Sequence, residues 1–80
     1  MDTRAAIVAR IEALCRERNI TVNALSYISG VSNSTIRGVF YKRSKNPGVV
    51  TIKKLCDGLG ITLGEFFSTA EFDSLDQEIE

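Results

Sequence analysis

The stretch from residue 21 to residue 41 constrains the fold more than any other part of the chain, because it predicts two short helices around a tight turn. Its sequence is TVNALSYISGVSNSTIRGVFY. Thr21 and Ser32 can each cap a helix, since a hydroxyl accepts a hydrogen bond from an unpaired N–H of the first turn. Gly30 lies where the first helix must end in a left-handed backbone conformation. Apolar residues recur at helical spacing on both sides of the turn, which predicts a core-facing surface on each helix.

The second of these helices, predicted over about residues 32–41, has an outward face without aliphatic side chains. The positions that helical spacing places on this face are Asn33, Ser34, Arg37, Gly38 and Tyr41. Hydrogen-bonding side chains gather at the beginning of the helix. A helix of this kind fits the major groove of DNA, with its first residues on the base edges.

Further motifs follow this stretch at fixed distances. The whole pattern consists of Leu25-Ser26, Gly30-Val31-Ser32, Ile36, Asn46-Pro47, Thr51-Ile52, Leu55, Leu59-Gly60-Ile61-Thr62 and Phe66-Phe67. In this pattern, over roughly residues 4–68, the chain resembles phage-repressor or Cro-like (Xre-type) helix-turn-helix transcriptional regulators. The resemblance implies an all-α, compact five-helix fold of the lambda-repressor type. It also implies a partner, double-stranded DNA, and a repressor that acts by occupying an operator.

Two sets of residues are candidates for contact with DNA. The candidates for base readout are Ser32, Asn33, Ser34, Thr35, Arg37, Gly38 and Tyr41. Among them, Asn suits adenine and Arg suits guanine, while Gly38 would allow close approach of the backbone or leave room for its neighbours. The candidates for phosphate contact are Thr21, Lys42, Arg43 and Lys45. The three cations precede an Asn-Pro-Gly loop signal, and a solvated loop explains their clustering less well than a phosphate backbone does.

The chain also departs from the family pattern. Cys15 and Phe40 occupy positions where relatives often pair an Arg with a Glu, so a hydrophobic contact is expected in place of the ion pair. Val22 stands where a Gln commonly contacts the DNA backbone. Gly38 stands where many relatives direct a long polar side chain toward the bases. The last two departures weaken a direct transfer of residue roles from the family.

The net charge of zero conceals a strong asymmetry along the chain. Residues 1–54 contain all ten Lys and Arg and only three acidic residues, whereas residues 55–80 contain seven acidic residues and no Lys or Arg. A basic body with an acidic tail is compatible with nucleic-acid binding despite a pI of about 6.2.

Composition argues against several other classes of protein. There is no His, and the only two cysteines, Cys15 and Cys56, are far apart and form no CxxC motif, so neither a metal site nor a Cys–His nucleophile is expected. Both thiols are expected to be free and buried. A Gly-rich phosphate loop and paired carboxylates outside the tail are missing too, which argues against an enzyme, a cofactor or a small-molecule substrate. With neither a membrane span nor a signal peptide, a cytoplasmic protein is expected.

The remaining sequence predicts three more helices and a tail. The first helix is expected from about residue 3 to 18, with an apolar stripe on one side. Its arginines, at positions 4, 10, 16 and 18, read as a solvated face from which one or two could reach phosphate. A fourth helix is expected over about 50–59, and a fifth begins at Thr62, where Glu65 completes a capping box. The helix-turn-helix domain would then span residues 1–68, and the acidic tail residues 69–80.

The sequence leaves open what the tail does and whether the chain also binds a protein partner. Phe72, Leu75 and Ile79 could pack onto the domain, form a dimer contact, or belong to a disordered tail that includes at most a short helix. A homodimer on DNA is expected, since one such module buries little surface by itself. An alternative function is a protein-interaction module, such as the antitoxin of a toxin–antitoxin pair. Tyr27 and Ile28, if exposed, would serve such a protein partner.

Overall fold

The computed structural model describes residues 2–41 and 46–79. These residues form helices and loops without any strand. The helices are α1 (Thr3–Glu17), α2 (Val22–Ser29), α3 (Asn33–Phe40), α4 (Val49–Leu59), α5 (Leu63–Phe67) and α6 (Ala70–Asp73). The expected all-α class is confirmed, but the described part of the chain has six helices and not five. The additional helix, α6, lies in the segment that the sequence identifies as the acidic tail.

Local sequence signals set the helix ends as expected. Asp2, Thr21 and Ser32 cap the beginnings of α1, α2 and α3, each by accepting a backbone N–H of the first turn. Thr62 and Glu65 form the complete capping box of α5. Gly30 ends α2 with a φ of 73° and Gly60 ends α4 with a φ of 71°, both in the left-handed region that glycine tolerates.

The apolar stripes of the helices meet in one core. It consists of Ile7, Ile11, Leu14, Cys15, Leu25, Val31, Ile36, Val39, Ile52, Leu55, Cys56, Leu59 and Phe66. Phe66 is completely buried, and Phe40 packs against the core from its edge. Cys15 and Cys56 are buried free thiols, as expected. Burial raises the pKa of both thiols, so they behave as small apolar side chains.

Two arginines of α1, and Arg18 directly after it, hydrogen-bond the ends of other helices. Arg4 Nη1 donates to the carbonyl of Val39 near the end of α3 over 2.8 Å. Arg10 Nε donates to the carbonyl of Phe66 in α5 over 2.8 Å, and Arg18 Nε donates to that of Leu59 in α4 over 3.2 Å. The expectation that these arginines form a solvated face is therefore wrong for Arg4 and Arg10, which are partly buried, whereas Arg18 is exposed. Carbonyls in the last turn of a helix have no partner within it, and a cation there also complements the helix dipole.

The segment after α5 folds back onto α1. Phe72 of α6 packs against Phe66 and Phe67, with ring centroids 6.1 and 4.9 Å away. Leu75 and Ile79 lie beyond the end of α6, Leu75 partly buried and Ile79 85% exposed. Of the alternatives left open by the sequence, packing onto the domain is therefore what Phe72 does, since it is partly buried against the core. A dimer contact through Leu75 and Ile79 stays a prediction, although the helix ends before both residues.

The helices α2 and α4 pack together closely at one glycine. A Cβ atom added to Gly58 would lie 3.0 Å from both Cα and Cβ of Ser29 in α2. Backbone at such a distance cannot move aside without shifting the whole helix. Gly58 is therefore required by the approach of α2 to α4 and not by its own backbone conformation.

We expect Gly58→Ala to lower the free energy of unfolding by about 1–3 kcal/mol through overpacking, even though Ala favours a helix interior by up to about 1 kcal/mol. Urea denaturation would measure the change. Gly64→Ala is the matched control, because its new Cβ would meet only Thr62 Oγ1 at an ordinary 3.7 Å. A Gly58→Ala protein as stable as the Gly64→Ala protein would contradict the close packing.

Candidate nucleic-acid interface

The turn between α2 and α3 is held by side chains of α2. Ser26, which is buried, donates from Oγ to the carbonyl of Val31 over 2.6 Å. The N–H of Val31 donates in turn to Ser29 Oγ over 3.3 Å. Together with the left-handed Gly30, these bonds fix the direction in which the chain enters α3. The angle between the two helices is thus set within the motif itself.

The core anchors one side of α3 and leaves the other in solvent. Ile36 and Val39 are buried, and they orient the helix about its axis. The exposed residues at its beginning and middle are Ser32, Asn33, Ser34, Thr35 and Arg37. Tyr41, just past its end, is 70% exposed. Six of the seven candidates for base readout are therefore accessible on one surface.

Gly38 is the exception, because it is buried. It lies on the side of α3 that faces the beginning of α4, in a groove that Pro47, Gly48 and Thr51 also line. The expectation that Gly38 belongs to the outward face is wrong. Helical spacing placed it beside Ser34, but spacing alone does not show which flank of a helix a later element covers.

Two shallow grooves run along α3 and bring in polar residues that sequence reasoning missed. Asn33, Arg37 and Tyr41 line the first groove together with Val22 and Asn23 at the beginning of α2. Ser34 and Thr35 line the second, opposite the beginning of α4, where Thr51 contributes a hydroxyl. Asn23 and Thr51 thus extend the polar surface on both sides of α3. Asn23 directly follows Val22, so its place next to a known family position could have identified it.

Three hydroxyl groups of the interface, those of Thr21, Ser32 and Thr35, have partners within the chain. Thr21 Oγ1 accepts from the N–H of Ala24, which leaves its own O–H free to donate. Ser32 Oγ accepts from the N–H of Thr35 and also hydrogen-bonds Thr35 Oγ1 over 2.9 Å. One of the two hydroxyls in this pair donates to the other, so one O–H remains available to a ligand.

Neither α2 nor α3 carries a negative side chain. No Asp or Glu occurs in the sequence between Glu17 and Asp57, whereas seven cations do. They are Arg18, Arg37, Lys42, Arg43, Lys45, Lys53 and Lys54. Lys42, Arg43 and Lys45, the predicted phosphate contacts, lie outside the described residues. This acid-free stretch contains the whole helix-turn-helix, so no carboxylate of the motif itself repels a polyanion.

This geometry agrees with what comparison with known proteins shows. The family model of the Cro/C1-type helix-turn-helix DNA-binding domain matches residues 10–71. The chain belongs to this family. The crystal structure of the prophage Lp1 protein 11 is similar to it, with a TM-score of 0.83 and 30% sequence identity. The match covers 94% of this chain and 100% of that one. No curated protein sequence matches the chain.

Membership of the Cro/C1 family gives the motif its function, which is DNA binding by a small regulator. The family model extends to residue 71, the second residue of α6. Proteins of this family are typically regulators and not enzymes. Within residues 2–41 and 46–79, no helix has the length and apolar character needed to cross a membrane.

Ser32 allows the cap of α3 to be separated from contact with DNA. In Ser32→Asp, we expect a free energy of unfolding close to that of the original protein, because Asp is an equally good N-cap. Affinity for duplex DNA should nevertheless fall, since the new carboxylate would face a polyanion. Urea denaturation and fluorescence anisotropy with a labelled duplex would measure the two effects.

Ser32→Ala is the matched variant, because it loses the cap and gains no charge. It should lose about 1 kcal/mol of stability, with a smaller effect on DNA binding than the Asp variant. Undiminished DNA binding by Ser32→Asp would place Ser32 away from the interface.

Proposed function

We propose that this protein is a sequence-specific double-stranded DNA-binding repressor that reads the major groove with α3. The observation that carries the proposal is the arrangement of accessible polar side chains along α3, in a stretch of chain free of acidic residues. An α-helix fits the major groove, where each base pair presents a distinct pattern of donors and acceptors. Occupation of an operator by such a domain represses transcription by blocking access to the DNA.

Base readout is assigned to Asn33 and Arg37, which line one groove one helical turn apart. Arg37 offers a forked donor for O6 and N7 of guanine, and Asn33 can bond N6 and N7 of adenine. Ser32, Ser34 and Thr35 add hydroxyls at the beginning of the helix, and Tyr41 marks its far end. Gly38 has no part in this proposal, because it is buried.

Phosphate contacts position the domain on the duplex. We assign them to Thr21, whose O–H is free to donate, and to the basic residues Lys42, Arg43 and Lys45. Such contacts carry no sequence information, but they fix the register of α3 in the groove. They also make affinity depend steeply on salt, because bound phosphates release counterions.

We further propose that two copies bind one operator as a homodimer. A single module of this size buries little DNA surface, so useful specificity takes two modules on half-sites about 34 Å apart. Selection of bound sites from random duplex DNA tests the function as a whole. A palindromic site with half-sites one helical turn apart is expected, and recovery of no preferred sequence would refute sequence-specific binding.

Arg37→Ala should weaken binding to the selected site by about 1–3 kcal/mol. It should also relax the sequence preference at one or two base pairs, which we expect to contain guanine. Binding to unrelated DNA should fall much less, since only one charge is lost. Arg37→Lys is the matched control, because it keeps the charge and loses the fork. Anisotropy titrations with the selected duplex and an unrelated duplex would measure both affinities. An equal loss of affinity on all sequences would make Arg37 a phosphate contact only.

Replacing Lys42, Arg43 and Lys45 together by Ala should weaken binding to every duplex by a similar factor. The slope of log affinity against log salt should become shallower by about two to three, at about 0.9 for each phosphate no longer neutralised. Titrations at several salt concentrations would measure it. The control variant is Lys53→Ala/Lys54→Ala, which removes exposed cations of α4 outside the loop. An unchanged slope in the loop variant would show that the loop stays solvated on DNA.

A second candidate function is a protein-interaction module, such as the antitoxin of a toxin–antitoxin pair. The observation in its favour is Tyr27 on α2, which is 91% exposed, beside Ile28, which is 53% exposed. Large apolar side chains in solvent are typical of a partner surface when they are adjacent. The loop variant separates the two functions, because it should lose DNA binding and leave binding to a protein partner intact.

A further inference from the structure

We infer that Arg4 is a positioning residue for DNA reading, because it holds the end of α3 that lies beside Arg37. This inference rests on the proposed function, since it concerns the same helix. In the sequence, Arg4 is only one of four arginines of which one or two could reach phosphate, and no base-reading role is predicted for it. Its role follows from one hydrogen bond between residues 35 positions apart in sequence, from Arg4 Nη1 to the carbonyl oxygen of Val39 over 2.8 Å.

The bond is of the strong kind. A guanidinium that donates to a carbonyl is a charge-assisted hydrogen bond, and this one is partly buried, so water competes less for it. The acceptor lies in the last turn of α3, where the carbonyl of Arg37 is bonded by the N–H of Tyr41 and that of Val39 by Arg4. Arg4 therefore supplies a donor to the end of the helix and a positive charge at the negative end of the helix dipole.

The length of α3 makes this anchor relevant to readout. At eight residues it is about 12 Å long, roughly two turns, and moves as one body. Its beginning is fixed by the turn, where Ser26 bonds Val31. Its end is tied to α1 by Arg4. With both ends held, the Arg37 side chain projects from a helix of defined tilt, and small displacements of a contact group are costly to recognition.

Two other arginines, Arg16 of α1 and Arg18 directly after it, provide matched controls. Arg18 donates to the carbonyl of Leu59 at the end of α4, so Arg18→Ala removes a comparable bond without touching α3. Arg16 is an exposed arginine of α1, and Arg16→Ala removes the same charge. The protein with Arg4→Ala should lose the ratio of specific to non-specific DNA affinity by about tenfold, while both controls keep it within about twofold.

Two further readouts exclude a direct phosphate contact and a general loss of stability. The salt dependence of Arg4→Ala should equal that of the unaltered protein, and Arg4→Lys should recover part of the specificity because an ammonium can also reach the carbonyl. In the free protein, amide hydrogen exchange at the end of α3 should accelerate in Arg4→Ala and not in Arg18→Ala. This last measurement needs no DNA.

Each contrary result has a defined meaning. Equal losses on specific and unrelated duplexes, with a salt slope shallower by about one, would make Arg4 a phosphate contact and overturn the inference. A specificity ratio no lower than in Arg18→Ala, or unchanged exchange in α3, would overturn it as well. If the unaltered protein prefers no sequence, the proposed function fails, and amide exchange alone then decides whether Arg4 holds α3.

Discussion

One set of hydrogen bonds connects the first helix with the ends of three later helices, and its donors are Arg4 and Arg10 of α1 and Arg18 directly after it. Short helices leave a large fraction of their backbone carbonyls without a partner, and the helices after α1 have between four and eleven residues. Arg4, Arg10 and Arg18 each supply donors to one such end, in α3, α5 and α4 respectively. The ends of α3, α4 and α5 are therefore tied to one helix, with which they also share the core.

The same helix contributes its apolar stripe to the core. It therefore buries apolar side chains on one face while its arginines bond the carbonyls of other helices. In a chain of 80 residues the core is small, and an unpaired buried polar group would lower the free energy of unfolding substantially. Among the residues that the structure describes, no buried side-chain nitrogen or oxygen lacks a partner. The buried Ser26 is an example, because its hydroxyl bonds the carbonyl of Val31 in the turn before α3. This buried hydroxyl therefore helps to set the direction in which the chain enters α3.

Charge is distributed to leave the helix-turn-helix free of carboxylates. The acidic residues of the described chain lie on α1, at the end of α4, and from α5 onward, so none lies on α2 or α3. One of them, Glu78, accepts a hydrogen bond from Thr3 Oγ1 over 2.7 Å at the beginning of α1. A net charge of zero is therefore compatible with binding to a polyanion, because the local potential near the motif decides the encounter.

The sequence by itself determined the helix ends, the apolar stripes and the helix-turn-helix, because caps and periodic faces depend on residues within about four positions of one another. Only the tertiary structure decided the contacts between residues that are distant in sequence. The carbonyls that bond Arg4, Arg10 and Arg18 lie 35 to 56 residues away. Gly38 is buried because its flank of α3 faces the beginning of α4, and Phe72 is partly buried because α6 packs against α5. A local pattern states that a side chain faces outward, but only the packing of helices determines whether another element covers it.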